Sequence, residues 1–217
     1  MQLTDSNDSM SDVYPSWSSD GSKIVFVSDD LVDGSRDIWV MNSDGSGRKR
    51  LTTNSLSEGT VAWSPDGSKI AFDTQTNECD IWVMNSDGTN LQNLTNTSDP
   101  LILEGHPSWS PDGSKIAFDR FLFREGGQDL WVMNADGTGK KNLTNTPAPS
   151  DVGEVNPSWS PNGRKIAYVW DNSQTGDPTL STDLWVMNAD GTSPRNITNT
   201  SWHEFSPDWQ PIPQITP

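Results

Sequence analysis

Pro157-Ser158-Trp159-Ser160-Pro161-Asn162-Gly163-Arg164-Lys165-Ile166-Ala167-Tyr168 decides the fold, because the chain states this phrase four times. The other copies run from Pro15-Ser16-Trp17 to Phe26, from Val61-Ala62-Trp63 to Phe72 and from Pro107-Ser108-Trp109 to Phe118. A shortened fifth is Ser206-Pro207-Asp208-Trp209-Gln210-Pro211. Trp17, Trp63, Trp109, Trp159 and Trp209 follow one another at intervals of 46, 46, 50 and 50 residues. Self-similarity at that period marks a solenoid, a propeller or an array.

Each repeat has two halves. In the second copy the first half is Val61-Ala62-Trp63, a Ser64-Pro65-Asp66-Gly67-Ser68 turn, and Lys69-Ile70-Ala71-Phe72. Pro, Asp and Gly at these places are hairpin chemistry. The second half is Asp80-Ile81-Trp82-Val83-Met84, an Asn85-Ser86-Asp87-Gly88-Thr89 turn, and Leu91 to Thr95. Each repeat therefore predicts four antiparallel strands, A to D. Strand C is apolar throughout: Ile38 to Met41, Ile81 to Met84, Leu130 to Met133 and Leu184 to Met187. A strand with one wet face alternates, so an unbroken apolar run means that both faces are covered. Stacked four-stranded sheets meet that requirement, which is the β-propeller pattern. A β-solenoid is the alternative, but its units are shorter and its strands parallel. No segment predicts a helix.

Composition narrows the function. Only 31% of the 217 residues are hydrophobic, yet there are 11 Trp, far too many for a disordered polar chain. The net charge of -16 argues against nucleic acid and anionic membranes, which need clustered Lys and Arg. Cys79 is alone, so an internal disulfide is excluded. No apolar run approaches a membrane span, and Met1 to Asp5 has no signal-peptide character.

Trp-Ser-Pro-Asp-Gly-Ser-Lys-Ile-Ala-Phe, followed by Asp-Ile-Trp-Val-Met-Asn-Ala-Asp-Gly-Thr and Asn-Leu-Thr, resembles the TolB-type propeller repeat, also called PD40 or WD40-like. The true WD repeat differs, since no Trp-Asp closes strand C here. The resemblance implies an all-β propeller of four-stranded antiparallel blades, in a family whose typical ring has six. It implies a periplasmic or secreted bacterial protein that binds other proteins, or a non-catalytic domain beside a catalytic one.

The ends depart from that pattern. Gln2-Leu3-Thr4 matches the end of strand D, and Ser206 to Pro211 matches strand A. The expected organisation is propeller repeats over 1–211, with blades at about 12–54, 58–97, 104–146 and 154–200. A partial blade combines 1–5 with 204–211, and 212–217 form a tail. Four complete blades plus one strand D and one strand A suggest an N-terminally truncated larger ring, a small ring with a two-stranded closing blade, or open edges that self-associate.

Loops A–B and C–D are nearly uniform, whereas loops B–C and D–A vary, so the variable end is the expected binding face. Five residues before each strand-A tryptophan stands an acid: Asp12, Glu58, Glu104, Glu154 and Glu204. These carboxylates are expected either to line the channel mouth, where calcium or a basic group would satisfy them, or to lock blade to blade by hydrogen bonds. Three residues before each tryptophan the residue differs: Tyr14, Thr60, His106, Asn156 and Ser206. That variation suits a ligand site beside the acids. Phe121 and Phe123 open the third B–C loop or extend strand B, Trp170 opens the fourth, and Trp202 lies in the last D–A loop. With Arg120 and Arg124 these aromatics are candidate interface anchors.

The Asp-Gly turns lack the ligands of a calcium loop, and the Asn-x-Thr sites arise from the repeat and say little. With two His and no nucleophile elbow, the chain predicts no enzyme. The expected function is a binding or scaffolding propeller that meets a protein partner, with no cofactor and no membrane insertion. Alternatives are the non-catalytic propeller of a prolyl-oligopeptidase-like peptidase and a calcium- or sugar-binding propeller.

Overall fold

Two apolar faces on one short strand force neighbouring sheets to stack, and blades 1 and 2, like blades 3 and 4, do so. The computed structural model describes residues 3–4, 10–30, 34–76, 79–124, 126–147, 153–171, 181–200 and 202–210. Gln2, Pro211, the 212–217 tail and parts of the B–C loops lie outside the described residues. All regular structure in them is β, in sixteen strands. The chain divides into two compact units, Met1–Pro107 and Ser108–Pro217.

In the first unit, blade 1 is β1 (Met10–Trp17), β2 (Lys23–Asp30), β3 (Arg36–Asn42) and β4 (Lys49–Arg50), in that order. Blade 2 is β5 (Glu58–Trp63), β6 (Lys69–Thr74), β7 (Ile81–Asn85) and β8 (Gln92–Asn93). Blade 3 comprises β9 (Ile102–Trp109), β10 (Lys115–Leu122), β11 (Gln128–Asn134) and β12 (Lys141–Asn142), with β9 running across the division between units. Blade 4, in the second unit, is β13 (Gly153–Trp159), β14 (Lys165–Asp171), β15 (Asp183–Asn188) and β16 (Arg195–Asn196). A single parallel bridge, Gln128 to Gly153, joins blades 3 and 4 into one hydrogen-bonded sheet.

The repeated phrase is a self-sufficient turn. Ser18 Oγ donates to Asp20 Oδ1 at 2.7 Å and accepts the Lys23 amide at 2.9 Å. Asp20 Oδ1 also accepts the Ser22 amide at 2.9 Å. Gly21 follows at φ 68°, a conformation that costs glycine little. Ser64 with Asp66, Ser110 with Asp112 and Ser160 with Asn162 repeat the pattern. Lys23 Nζ then reaches Asn42 Oδ1 at 3.2 Å, tying turn A–B to turn C–D. The hydroxyl and amide bonds hold Asp20, Asp66 and Asp112 down at about 2.

Strand-A tryptophans pack between blades. Trp63, Ile70, Phe72 and Met84 form one face of blade 2, and they meet Val25, Val27, Ile38 and Val40 of blade 1. In the second unit Ile166, Tyr168, Met187 and Trp159 meet Leu130, Val132 and Leu143 of blade 3. Both faces of strand C are thereby used: Ile38 and Val40 point toward blade 2, while Met41 faces the other way with Ile24 and Phe26.

Residues 202–210 carry no assigned strand, yet they hold strand-A positions. The Glu204 amide donates to the Thr182 carbonyl at 3.1 Å, as the Glu104 amide does to Cys79 at 2.8 Å. Trp209 Nε1 donates to the Ser158 carbonyl at 3.0 Å.

Truncating Trp63 removes the plug between blades 1 and 2, whereas Trp17 is 56% exposed. Trp63→Ala is expected to cost about 3–5 kcal/mol of stability and Trp17→Ala less than about 1 kcal/mol. Denaturant unfolding of the two variants checks this, and equal losses would show that the tryptophans do not act between blades.

Candidate functional site

Four of the five acids, Glu58, Glu104, Glu154 and Glu204, lie beside the loop that leads in from the preceding blade. Glu58, Glu104 and Glu154 are almost wholly buried, and Glu204 is half-buried. Each faces the D–A loop of the preceding blade. Thr97 Oγ1 donates to Glu104 Oε2 at 3.1 Å, and Thr146 Oγ1 to Glu154 Oε1 at 2.6 Å. Thr200 Oγ1 donates to Glu204 Oε1, and Thr198 Oγ1 lies 3.3 Å from Glu204 Oε2. Asp12 instead pairs with Arg48 at 2.8 Å, and Arg48 also lies over the Phe26 and Trp39 rings at 5.1 and 4.8 Å. Of the two arrangements open from the sequence, Glu104, Glu154 and Glu204 adopt the hydrogen-bonded lock, whereas Asp12 pairs within its own blade.

The partner of each lock is a clamp built on the aspartate that begins strand C. Asp80 Oδ1 accepts Thr95 Oγ1 at 3.0 Å and the Thr97 amide at 2.9 Å, while Oδ2 accepts Asn93 Nδ2 at 2.7 Å. Asp129 takes Thr144, Thr146 and Asn142 in the same way, and Asp183 takes Thr198, Thr200 and Asn196. In blade 1 Arg50 stands in the Asn position and forms a salt bridge with Asp37 at 2.5 Å. The strand-C amide completes the set: Ile81 N–H donates to Thr95 Oγ1 at 3.0 Å. The Asn-x-Thr triplets that looked uninformative are thus the teeth of this clamp. Their signal in the sequence is a constant offset from the aspartate, 13 residues to Asn93 and 15 to Thr95.

Electrostatics at two junctions are strained. Neither Glu58 carboxylate oxygen has a hydrogen-bond partner of good geometry, nor does Glu154 Oε2. Burial, reinforced by Asp37, raises Glu58 to about 7, with Thr52 and Asn54 near enough to offset only part of it. Burial raises Glu154 to about 7 as well; the Thr146 bond opposes this and the Asp129 charge adds to it.

The varied position three before each tryptophan is a bulge. Tyr14, His106, Asn156 and Ser206 all have positive φ, from 47° to 54°. Strand pairing slips between Val13 and Ser16, between Glu58 and Val61, and between Val155 and Ser158. Blade 2 bends at Gly59 and Thr60, and a Cβ on Gly59 would lie 2.0 Å from Asp73 Oδ2. Asp73 also accepts the Thr60 amide at 2.8 Å, and Asp119 accepts the Asn156 amide at 3.1 Å. Bulges re-aim side chains, so the differing residues share a backbone cause. Tyr14, 45% exposed, lies beneath Arg36 at 5.9 Å.

Trp170 does not open the fourth B–C loop. It lies within β14, opposite Asp183, and stacks on Trp185 at 5.0 Å. Phe121 likewise sits in β10 opposite Gln128, as an extension of strand B. Phe123 lies just beyond, edge-on to Phe121 at 4.6 Å and 54% exposed. Trp202 is 77% exposed, and Phe205 is exposed beside His203. Among the described residues, no three His, Cys, Asp or Glu side chains come together as a metal site would need. No helix among them is long and apolar enough to cross a membrane.

Four-stranded antiparallel blades that stack face to face within each unit are the β-propeller pattern. Residues 1–100 match the PD40 family model, described as the TolB beta propeller domain, and repeats three and four restate the same phrase, so the chain is built of TolB-like propeller repeats. Among solved structures it resembles the putative TolB from Agrobacterium tumefaciens, with a TM-score of 0.69 at 22% identity over 88% of this chain and 68% of that one. TolB from Acinetobacter baumannii gives a TM-score of 0.69 at 20% identity, over 89% of this chain and 44% of that one. An oligogalacturonate lyase in complex with manganese gives 0.70 at 16% identity, over 94% of this chain and 58% of that one. At these identities the likeness carries the fold. No curated protein matches the sequence.

The signs of the shifts set a pH window. Glu58 and Glu154 bind protons more tightly folded than unfolded, so their stabilisation is complete below the ordinary 4.5 and is lost as pH rises through about 7. The turn aspartates act oppositely: their contribution is present above 3.8 and fades as pH falls through about 2. Stability is expected to peak near pH 4–5 and to fall by about 1–3 kcal/mol per glutamate toward pH 8. Glu58→Gln and Glu154→Gln should flatten that alkaline limb in denaturant unfolding measured across pH. Curves parallel to the parent would show that these carboxylates are not the groups responsible.

Proposed function

We propose that the chain is a non-catalytic binding propeller that offers its B–C and D–A loop end to a protein partner, in the periplasm or outside the cell. The observation that carries this reading is the contrast between the two ends of the blades. Turns A–B and C–D are uniform and saturated by their own hydrogen bonds, as at Asp20 and Asp44. The loop end of the second unit exposes Phe123, Trp202 and Phe205. Exposed aromatics on a rigid frame are favourable anchors, since they desolvate a large area at little entropic cost. The TolB-like repeat supports a protein partner, and the periplasm is the compartment that the family suggests.

No feature of the described residues favours catalysis. Glu104 and Glu154 are buried and bonded to the scaffold, and Asp20, Asp44 and Asp87 are held by the hydrogen bonds of their own turns. The lyase's manganese belongs to that protein, and here the described residues assemble no such ligand set.

A photo-crosslinking amino acid placed at 123 or 202 should trap a discrete partner in the cells of origin. The same probe at the turn positions 112 or 136 should trap none. Cross-links from the turns alone, or from no position, would overturn the assignment of the loop end. A melting-temperature shift with calcium, abolished by EDTA, would favour the metal-binding alternative.

A further inference from the structure

Where blades 3 and 4 meet, the turn end of the second unit opens into a groove of about 500 Å³. Its first wall is the face of blade 3 that packs on blade 4. Register puts Lys115 opposite Asn134 and Lys141 opposite Val132, so both lysines lie on the face that carries Val132 and Leu143. The second wall belongs to blade 4 and presents Trp159 and Asn162. Val132 and Leu143 are buried, Trp159 is half-buried, and Lys115 and Lys141 are exposed at the rim. The turns of the two blades come together at one end, where a Cβ on Gly163 would lie 3.3 Å from Pro111 Cγ.

The groove is rich in unspent donors. Lys115 Nζ donates to Asn134 Oδ1 at 3.1 Å, and Lys141 Nζ to the Asp190 carbonyl at 3.2 Å. An ammonium has three donors, so each lysine has two left among the described residues. Asn162 Oδ1 accepts the Ser160 hydroxyl at 2.9 Å and the Arg164 amide at 3.0 Å, which turns the Nδ2 hydrogens outward. The acids at the rim are engaged by their own turns. Asp112 Oδ1 accepts the Ser110 hydroxyl at 2.6 Å and the Ser114 amide at 3.0 Å. Asp190 Oδ1 accepts the Thr192 amide at 3.0 Å and its hydroxyl at 2.7 Å.

The corresponding groove of the first unit, about 510 Å³ between blades 1 and 2, supplies an internal comparison. It has Lys23 and Lys49 in the lysine positions, but Asp66 for Asn162, Ser86 for Ala189 and Ser19 for Pro111. Its described lining carries three acids against two lysines, where the groove of the second unit carries two against two. Its indole is also tied down: Trp63 is buried and its Nε1 donates to the Gly67 carbonyl at 3.2 Å, a bond that Trp159 lacks.

We propose that the groove between blades 3 and 4 binds a small aromatic carboxylate. Its walls are two stacked sheets, so the space between them is a slot that a flat ring fills. The ring lies against Trp159, Val132 and Leu143, and the carboxylate takes the spare donors of Lys115, Lys141 and Asn162. The groove lies at the turn end of the blades, away from Phe123, and does not rest on the reading given for the loop end.

The test uses the whole chain labelled with 5-fluorotryptophan, with 2-naphthoate as the probe and 2-naphthylmethanol as its uncharged counterpart. The fluorine resonances of Trp159 and Trp63 are assigned with Trp159→Phe and Trp63→Phe. Naphthoate should shift the Trp159 resonance saturably and leave that of Trp63 in place, and the alcohol should bind about fivefold more weakly or worse. Lys115→Gln combined with Lys141→Gln should weaken naphthoate binding by about fivefold or more, with the melting temperature unchanged. Lys23→Gln combined with Lys49→Gln should leave it intact. A Trp159 resonance that stays in place, equal binding of acid and alcohol, or undiminished binding without Lys115 and Lys141 would overturn the proposal.

Discussion

An antiparallel sheet of four short strands that is apolar on both sides cannot stand in water alone. That constraint underlies everything else in the chain. It explains why strand C is unbroken Ile-Trp-Val-Met, with Ile81, Val83 and Met84 all buried. It explains why every blade needs a neighbour, and why residues that form no complete blade still lie against one. Leu3 covers Ile24 and Met41, and Trp209 reaches Ser158, because each blade face requires cover.

Apolar stacking fixes that blades touch but not how they are turned on one another, since dispersion is non-directional. The clamp and the junction acid supply direction. Asp80 holds Asn93, Thr95 and the Thr97 amide, which fixes the D–A loop of blade 2. Thr97 then presents its hydroxyl to Glu104, the first residue of the next lock. A hydrogen-bonded chain therefore runs from the start of one strand C to the start of the following strand A. The cost is burial of carboxyl groups beside an aspartate. At Glu58 the hydrogen bonding falls short, and neutralisation of the carboxyl relieves the cost instead.

Much of the fold was legible because the repeat carries it. Trp159 and Asn162-Gly163 announce a strand and a turn whose chemistry is local, and local chemistry is visible in a string. The acids were legible as a period, but their role depended on what faces them. Burial of Glu58 and Glu154 comes from the preceding blade's loop, which no spacing reveals. The bulge was hidden for a different reason. Tyr14, His106, Asn156 and Ser206 share only a positive φ, and four unlike side chains suggested ligand selection where the common factor is backbone. Trp170 was misplaced because β14 continues to Asp171, pairing with two strand-C residues, Leu184 and Asp183, beyond the partner of Tyr168.

These distinctions separate the two kinds of recurrence in a repeat protein. A residue that recurs with the period, such as the turn aspartates or the junction acids, meets the same partner in each copy and can be assigned to the scaffold by that partner. A residue that departs from the period is informative only after backbone causes are removed. Tyr14, His106, Asn156 and Ser206 have such a cause in their shared positive φ, whereas the exposed aromatics Phe123, Trp202 and Phe205 have none in the repeat. That group points to recognition added to the fold.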